Sequence, residues 1–132
     1  MILWLKNLFA PISPRMALGE RGELVAAHHL QGLGHKILML NFRTRGGEID
    51  IVAREGDILV FVEVKTSGAD VGPAPHQRVT SGKQHRLTVA AKNYLAHYEK
   101  RPACRFDVVS IVWVQGRPPE IEHIRNAFAP TF

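Results

Sequence analysis

Glu48, Asp50, Glu63 and Lys65 attract attention through their types and spacing. They lie in Gly47-Glu48-Ile49-Asp50-Ile51-Val52-Ala53 and in Phe61-Val62-Glu63-Val64-Lys65, two runs that alternate polar and apolar residues. Alternation at period two is the mark of a strand, in which residues i and i+2 share a face. Glu48 and Asp50 then point one way on the first strand, with Ile49, Ile51 and Ala53 opposite. On the second, Phe61, Glu63 and Lys65 share a face opposite Val60, Val62 and Val64. Acids on otherwise apolar strands are costly to bury without a partner. A divalent cation is the partner that most simply satisfies two carboxylates.

A tight turn at Glu55-Gly56 joins the two runs. With Arg54 paired to Asp57, Ala53 faces Ile58, Asp50 faces Phe61 and Glu48 faces Glu63. Asp50 and Glu63 become diagonal neighbours on one face, about 7 Å apart at Cβ. Such a pair suits one oxygen-seeking ion, Mg²⁺ or Mn²⁺, with the Val64 backbone carbonyl as a further ligand. Lys65, two residues from Glu63 on the same face, is placed to hold an attacking water or to neutralise charge developing on a phosphate. Glu48 takes a supporting place beside them.

The elements that must position these groups are legible from periodicity. Leu18–Leu33 is predicted as a helix in which Glu23, Ala26, Ala27 and Leu30 share the inward face, and Gly34 stops it. Lys36–Asn41 is a first strand, Arg43–Gly47 a polar turn, and Glu48–Arg54 and Asp57–Lys65 the strands above. Thr66–Thr80, with Gly68, Gly72, Pro73 and Pro75, is a loop. Ser81 caps a second helix, with Gln84 reaching back to it. Leu87, Ala90, Ala91, Tyr94, Leu95 and Tyr98 form its apolar stripe. Arg105–Val114 and Glu120–Arg125 are the closing strands. The order α-β-β-β-α-β-β predicts an α/β fold, a mixed sheet with flanking helices and the Asp50/Glu63 hairpin central.

An acid on one strand, acid-x-lysine on the next and a glutamate-bearing helix before both resemble the PD-(D/E)xK nuclease superfamily. Those elements here are Asp50, Glu63-Val64-Lys65 and Glu23. At closer range the chain resembles the YraN-like family of small bacterial proteins, relatives of archaeal Holliday-junction resolvases. Gly22-Glu23-x-x-Ala26, Gly34, Asn41-x-Arg43, Gly47-Glu48-Ile49-Asp50, Phe61–Lys65, Lys83 with Arg86-Leu87, and Arg105–Val108 carry that resemblance. It spans roughly Leu18 to Arg125, and Ile49 stands where the superfamily's name has proline. The resemblance implies a restriction-endonuclease-like fold and a nucleic-acid ligand, DNA favoured over RNA. A symmetric homodimer would suit a reaction that makes two cuts.

Composition is consistent with that class. The 132 residues, 45% of them hydrophobic, suffice for one domain with a core. Residues 17–132 are expected to form it, with residues 1–16 as a flexible tail or a docking peptide. One cysteine, Cys104, excludes an internal disulfide and a cysteine-based zinc site, and favours a reducing cytoplasm. No apolar run is long enough to span a membrane. The net charge is +5, and Arg78–Arg105 holds seven basic residues against the single acid Glu99. Arg78, Lys83, Arg86 and Lys92 are the expected phosphate contacts. The seven histidines show no metal-binding spacing. Two function classes remain: a metal-dependent phosphodiester hydrolase, and a non-catalytic nucleic-acid-binding module on the same fold. An adaptor docking through residues 1–15 is a third.

Overall fold

The computed structural model describes Ile12, residues 17–68 and 79–130, and Phe132, and seven regular elements form among these described residues. They are α1 (Leu18–Gly32), β1 (Lys36–Thr44), β2 (Gly47–Glu55), β3 (Ile58–Gly68), α2 (Ser81–Leu95), β4 (Cys104–Trp113) and β5 (Glu120–Phe128). The order is the expected one, and the five strands make one sheet in chain order, β1-β2-β3-β4-β5. β3 and β4 are parallel, with α2 in the crossover between them, and the other pairs are antiparallel. The expected tail, Arg78 and most of the expected loop lie outside the described residues. No helix among the described residues is long and apolar enough to cross a membrane.

The sheet is covered on both faces. Ala26, Ala27 and Leu30 of α1 pack on Ile51, Val60 and Val62. Leu87, Ala90 and Ala91 of α2 pack on Val52, Phe61 and Phe106. Full burial of Phe61 and Phe106 contributes roughly 1.5–3 kcal/mol each. Neighbouring strand residues thus serve opposite helices, which explains the dense apolar runs in β2 and β3.

Several boundaries move. β1 runs on to Thr44, β3 to Gly68 and β5 to Phe128, each beyond the strand end predicted from periodicity. Thr80, not Ser81, caps α2: its Oγ1 accepts from the Lys83 N–H at 3.3 Å. Gln84 reaches back past Ser81 by two residues, donating through Nε2 to the Val79 carbonyl at 2.9 Å.

The hairpin register is also corrected. Glu55 pairs with Ile58, Arg54 with Leu59 and Val52 with Phe61, two residues away from the predicted frame. Gly56, at φ 59°, has the left-handed conformation that a two-residue turn needs at its first central position. The turn is therefore Gly56-Asp57. The shift is even, so the side-chain alternation of β3 survives it.

Candidate metal and phosphate site

β2 and β3 separate where the acids begin. Their pairing runs from the turn to Ile51 opposite Val62 and stops. Beyond it Gly47–Ile49 pairs only with β1, while β3 from Glu63 onward pairs with β4. The fork leaves strand groups without a ladder partner, and side chains take over. The Val64 N–H donates to Asp50 Oδ2 at 2.8 Å. A strand residue's N–H and C=O leave on the same side, so the Val64 carbonyl faces the fork too.

A backbone reversal turns Asp50 into this opening. Asn41, next to Asp50 in the β1–β2 register, has φ 54° in the middle of a strand. Leu40 packs with α1 whereas Phe42 packs with α2, and their partners Ile51 and Ile49 divide in the same way. Strict alternation would put each pair on one face. The expectation that Ile49 shares a face with Ile51 therefore fails, because the sheet changes sides at Asn41 and Asp50. Asparagine is among the few residues that tolerate this conformation.

Glu23 reaches the same place from α1. It hydrogen-bonds the Asn41 side chain and the Asp50 carboxyl. Gly22 makes the approach possible: a Cβ there would stand 2.0 Å from Thr66 Oγ1, so only glycine lets α1 settle onto β3. Glu63 enters from the α2 side, its side chain 14% exposed, with Lys83 Nζ 3.6 Å from Oε1. The structure thus brings Glu23, Asp50, Glu63, Val64, Lys65 and Lys83 together.

The electrostatics are those of surplus negative charge. Burial, then repulsion from Glu63, Glu23 and Glu48, pushes the Asp50 carboxyl up to about 8, against the opposing pull of the Val64 N–H. Burial also raises Glu23 and Glu63, with Lys83 holding Glu63 down in part. Lys65 is lowered by burial and by Lys83. Four carboxyls thus crowd a region with two lysines, a donor set that fits a hard divalent cation. Among the described residues no three His, Cys, Asp or Glu side chains converge as a metal cage. An ion here would rest on Asp50, Glu63 and the Val64 carbonyl, with waters completing the shell as Mg²⁺ commonly requires.

Not every expected contact gathers here. Glu48 pairs across to Arg43, its Oε2 3.5 Å from Nε, and bridges two clefts. Arg86 lines both clefts. Lys92 lines neither: it follows Lys83 by nine residues, which at 100° per residue is about half a turn around α2. Gln84 supports α2 through its cap. Sequence reasoning gave no role to Asn41, Arg43 or Arg45, although Asn41-x-Arg43 carried part of the family resemblance. The signal for Asn41 was a lone asparagine in an apolar strand.

A second polar network lies at the far end of the hairpin. Asp107 accepts from Arg105 Nε at 2.9 Å and from the Asn126 N–H at 2.9 Å, with His123 Nε2 at 2.8 Å. These partners outweigh burial and lower its pKa. Arg105 also bonds Glu55, which Arg125 shares. Cys104 is half-buried with its thiol raised by burial, the state of an unreactive filler.

Residues 22–111 match the family model of "Uncharacterised protein family UPF0102". A UPF0102 protein of Geobacter metallireducens is 52% identical over 114 residues, covering 85% of this chain and 92% of that one. One from Parafrankia is 50% identical over 113 residues, covering 84% and 95%. One from Rhodococcus opacus is 44% identical over 114 residues, covering 86% and 97%. With a matching family model over most of its length and near-full-length relatives, the chain belongs to the UPF0102 family, the YraN-like branch of the restriction-endonuclease-like superfamily.

Proposed function

We propose that the protein is a metal-dependent nucleic-acid phosphodiester hydrolase, with DNA as the favoured substrate. The observation that carries this reading is the fork: Asp50 and Glu63 meet at the end of a strand pairing, beside Lys65 and the Val64 carbonyl. Mg²⁺ or Mn²⁺ bound there would polarise a phosphoryl oxygen and lower the pKa of a coordinated water. The chain's own groups have separable tasks. Lys65 orients the attacking water through its ammonium group. Glu23 stands against the Asp50 carboxyl and, when protonated, fixes it by donating a hydrogen bond. Lys83, more than half exposed, can leave Glu63 for an arriving phosphate.

A panel of duplex, branched and single-stranded DNA and of RNA, incubated with Mg²⁺, Mn²⁺ or EDTA, tests the reading. Metal-dependent cleavage is expected for at least one substrate, abolished in Asp50→Ala with binding retained. Absence of cleavage across the panel refutes it. One observation favours the second reading, a binding module without turnover: Lys83 already neutralises Glu63, so the fork can hold together without an ion. Such a protein would bind with a steep salt dependence and yield no product with either metal.

A further inference from the structure

A larger cleft opens beside the fork. It measures about 250 Å³ and is walled by Arg43, Arg45, Gly46, Gly47, Glu48 and Arg86. A smaller cleft of about 80 Å³, lined by Glu48, Glu63, Lys83, Arg86 and Leu87, leads into it from the acid cluster. Glu48 and Arg86 belong to both, so the two clefts adjoin, one beside Glu63 and the other at the β1–β2 turn.

The turn is seated firmly. A Cβ on Gly47 would lie 1.8 Å from the Arg86 carbonyl oxygen, and one on Gly46 would lie 2.9 Å from Val89. The Thr44 hydroxyl closes the turn by donating to the Gly47 carbonyl at 3.1 Å. Direct contact between the turn and the α2 backbone therefore sets the spacing of Arg45 from Arg86. Arg43 pairs only loosely with Glu48, both side chains being at least half exposed, so Arg45 and Arg86, with Arg43 beside them, are the cations for a ligand.

The lining has a further consequence. Among the described residues no aromatic side chain lines either cleft, so these walls offer no platform on which a base could stack. Guanidinium groups beside a backbone turn suit a phosphate bidentately, and a contact made to phosphate carries no base code.

We propose that this cleft binds the sugar-phosphate backbone of a polynucleotide at a phosphate flanking the one placed at the fork. The occupant is a continuous nucleic-acid strand, gripped without regard to sequence, and a mononucleotide would find only half of its site. This rests on the hydrolase reading for the fork, but the grip itself needs no metal.

The test is fluorescence anisotropy of a labelled DNA duplex and of labelled single-stranded DNA, titrated in EDTA over a range of salt. Arg45→Ala with Arg86→Ala should weaken binding about 10-fold or more and lower the log–log salt slope by about 2. Arg45→Lys with Arg86→Lys should keep the slope, and Arg117→Ala, on the exposed β4–β5 turn, should change neither quantity. A doubly substituted protein with the wild-type slope, or an equal loss in Arg117→Ala, overturns the proposal. Cleavage separates it from the reading beneath it. A lowered slope in a protein that never cleaves leaves the cleft standing and removes the hydrolase. Cleavage with an unchanged slope and KM in the double variant does the reverse.

Discussion

Asp50→Asn should make the protein more stable while removing its response to metal. Asparagine keeps the size of the side chain, can still accept from the Val64 N–H, and can donate to Glu23. What it removes is a carboxyl that must take up a proton to fold among three others. The Asp50 carboxyl is raised from 3.8 to about 8 in the folded protein. Below pH 3.8 folded and unfolded chains are both protonated, and the group costs nothing. Between pH 3.8 and about 8 the unfolded chain loses this proton while the native one keeps it, so stability falls as pH rises. Above about 8 the cost is constant. At pH 7 the span is about 3 pKa units, an upper bound of about 4 kcal/mol at 1.36 kcal/mol per unit. Glu23 and Glu63 share the repulsion, and Lys65 and Lys83 oppose it, so about half of that is expected. A gain of about 2 kcal/mol corresponds to roughly 8 °C in Tm for a chain of this size. Thermal unfolding of both proteins from about pH 5 to 9, with and without Mg²⁺, reads it directly. Wild type should lose stability across this range and recover it with Mg²⁺, while Asp50→Asn should show a weaker slope and little metal effect. An asparagine variant that melts below wild type at every pH would refute the reasoning, because the carboxylate would then be a stabilising acceptor rather than a strained ligand.

Two further substitutions probe the frame around the site. Gly47→Ala drives a Cβ into the Arg86 carbonyl oxygen, whereas Gly46→Ala meets only a Val89 methyl. The first should cost about 3 kcal/mol, at the upper end for overpacking, and the second less than about 1, as read by urea unfolding. Asp107→Asn should cost about 3 kcal/mol by removing the buried charge that Arg105 and His123 share and turning an amide N–H₂ toward donors on one side. Since the Asp107 pKa is lowered by folding, its contribution is present above pH 3.8 and is lost as pH falls through the lower native value. The wild-type and variant stability curves should accordingly converge in acid.

The elements themselves were legible because each follows a clean period. The Glu23, Ala26, Ala27 and Leu30 face of α1 lies where its spacing put it, and the α2 stripe covers Phe61 as its pattern required. The register was not legible, since Glu55-Gly56-Asp57 offers two turn frames with the same alternation. Only the conformation of Gly56 chooses between them. Arg43 and Arg45 were invisible as a cleft for a different reason. Their turn reads as a polar linker until Gly47 is found against Arg86, about forty residues away in sequence. Lys92 shows the opposite error, because a count of basic residues along a helix ignores their direction around its axis.

Asn41 exposes why the centre of the site resists pattern reading. A regular β1 would keep Leu40 and Phe42 on one face, and a regular β2 would do the same with Ile49 and Ile51. The strands depart from regularity together, at Asn41 and Asp50 between the pairs Leu40–Ile51 and Phe42–Ile49, and the β2–β3 ladder ends at Ile51 and Val62. Each departure has a cost: a left-handed asparagine, a lost rung, a carboxyl held protonated. The Val64 N–H bond to Asp50 recovers part of the lost rung, and no described contact relieves the crowded acids completely. Local conflict of this kind is expected where a fold gives up stability for function. The unrelieved term is also chemically specific, because a second hydrogen-bond donor would satisfy one carboxyl, whereas a divalent ion would satisfy Asp50 and Glu63 at once. Lys83 can neutralise Glu63 but stands on the α2 side, and Asp50 remains raised in its presence. Binding of Mg²⁺ should therefore lower the Asp50 pKa more than any lysine substitution at Glu48 would, which carboxyl chemical shifts followed against pH can resolve.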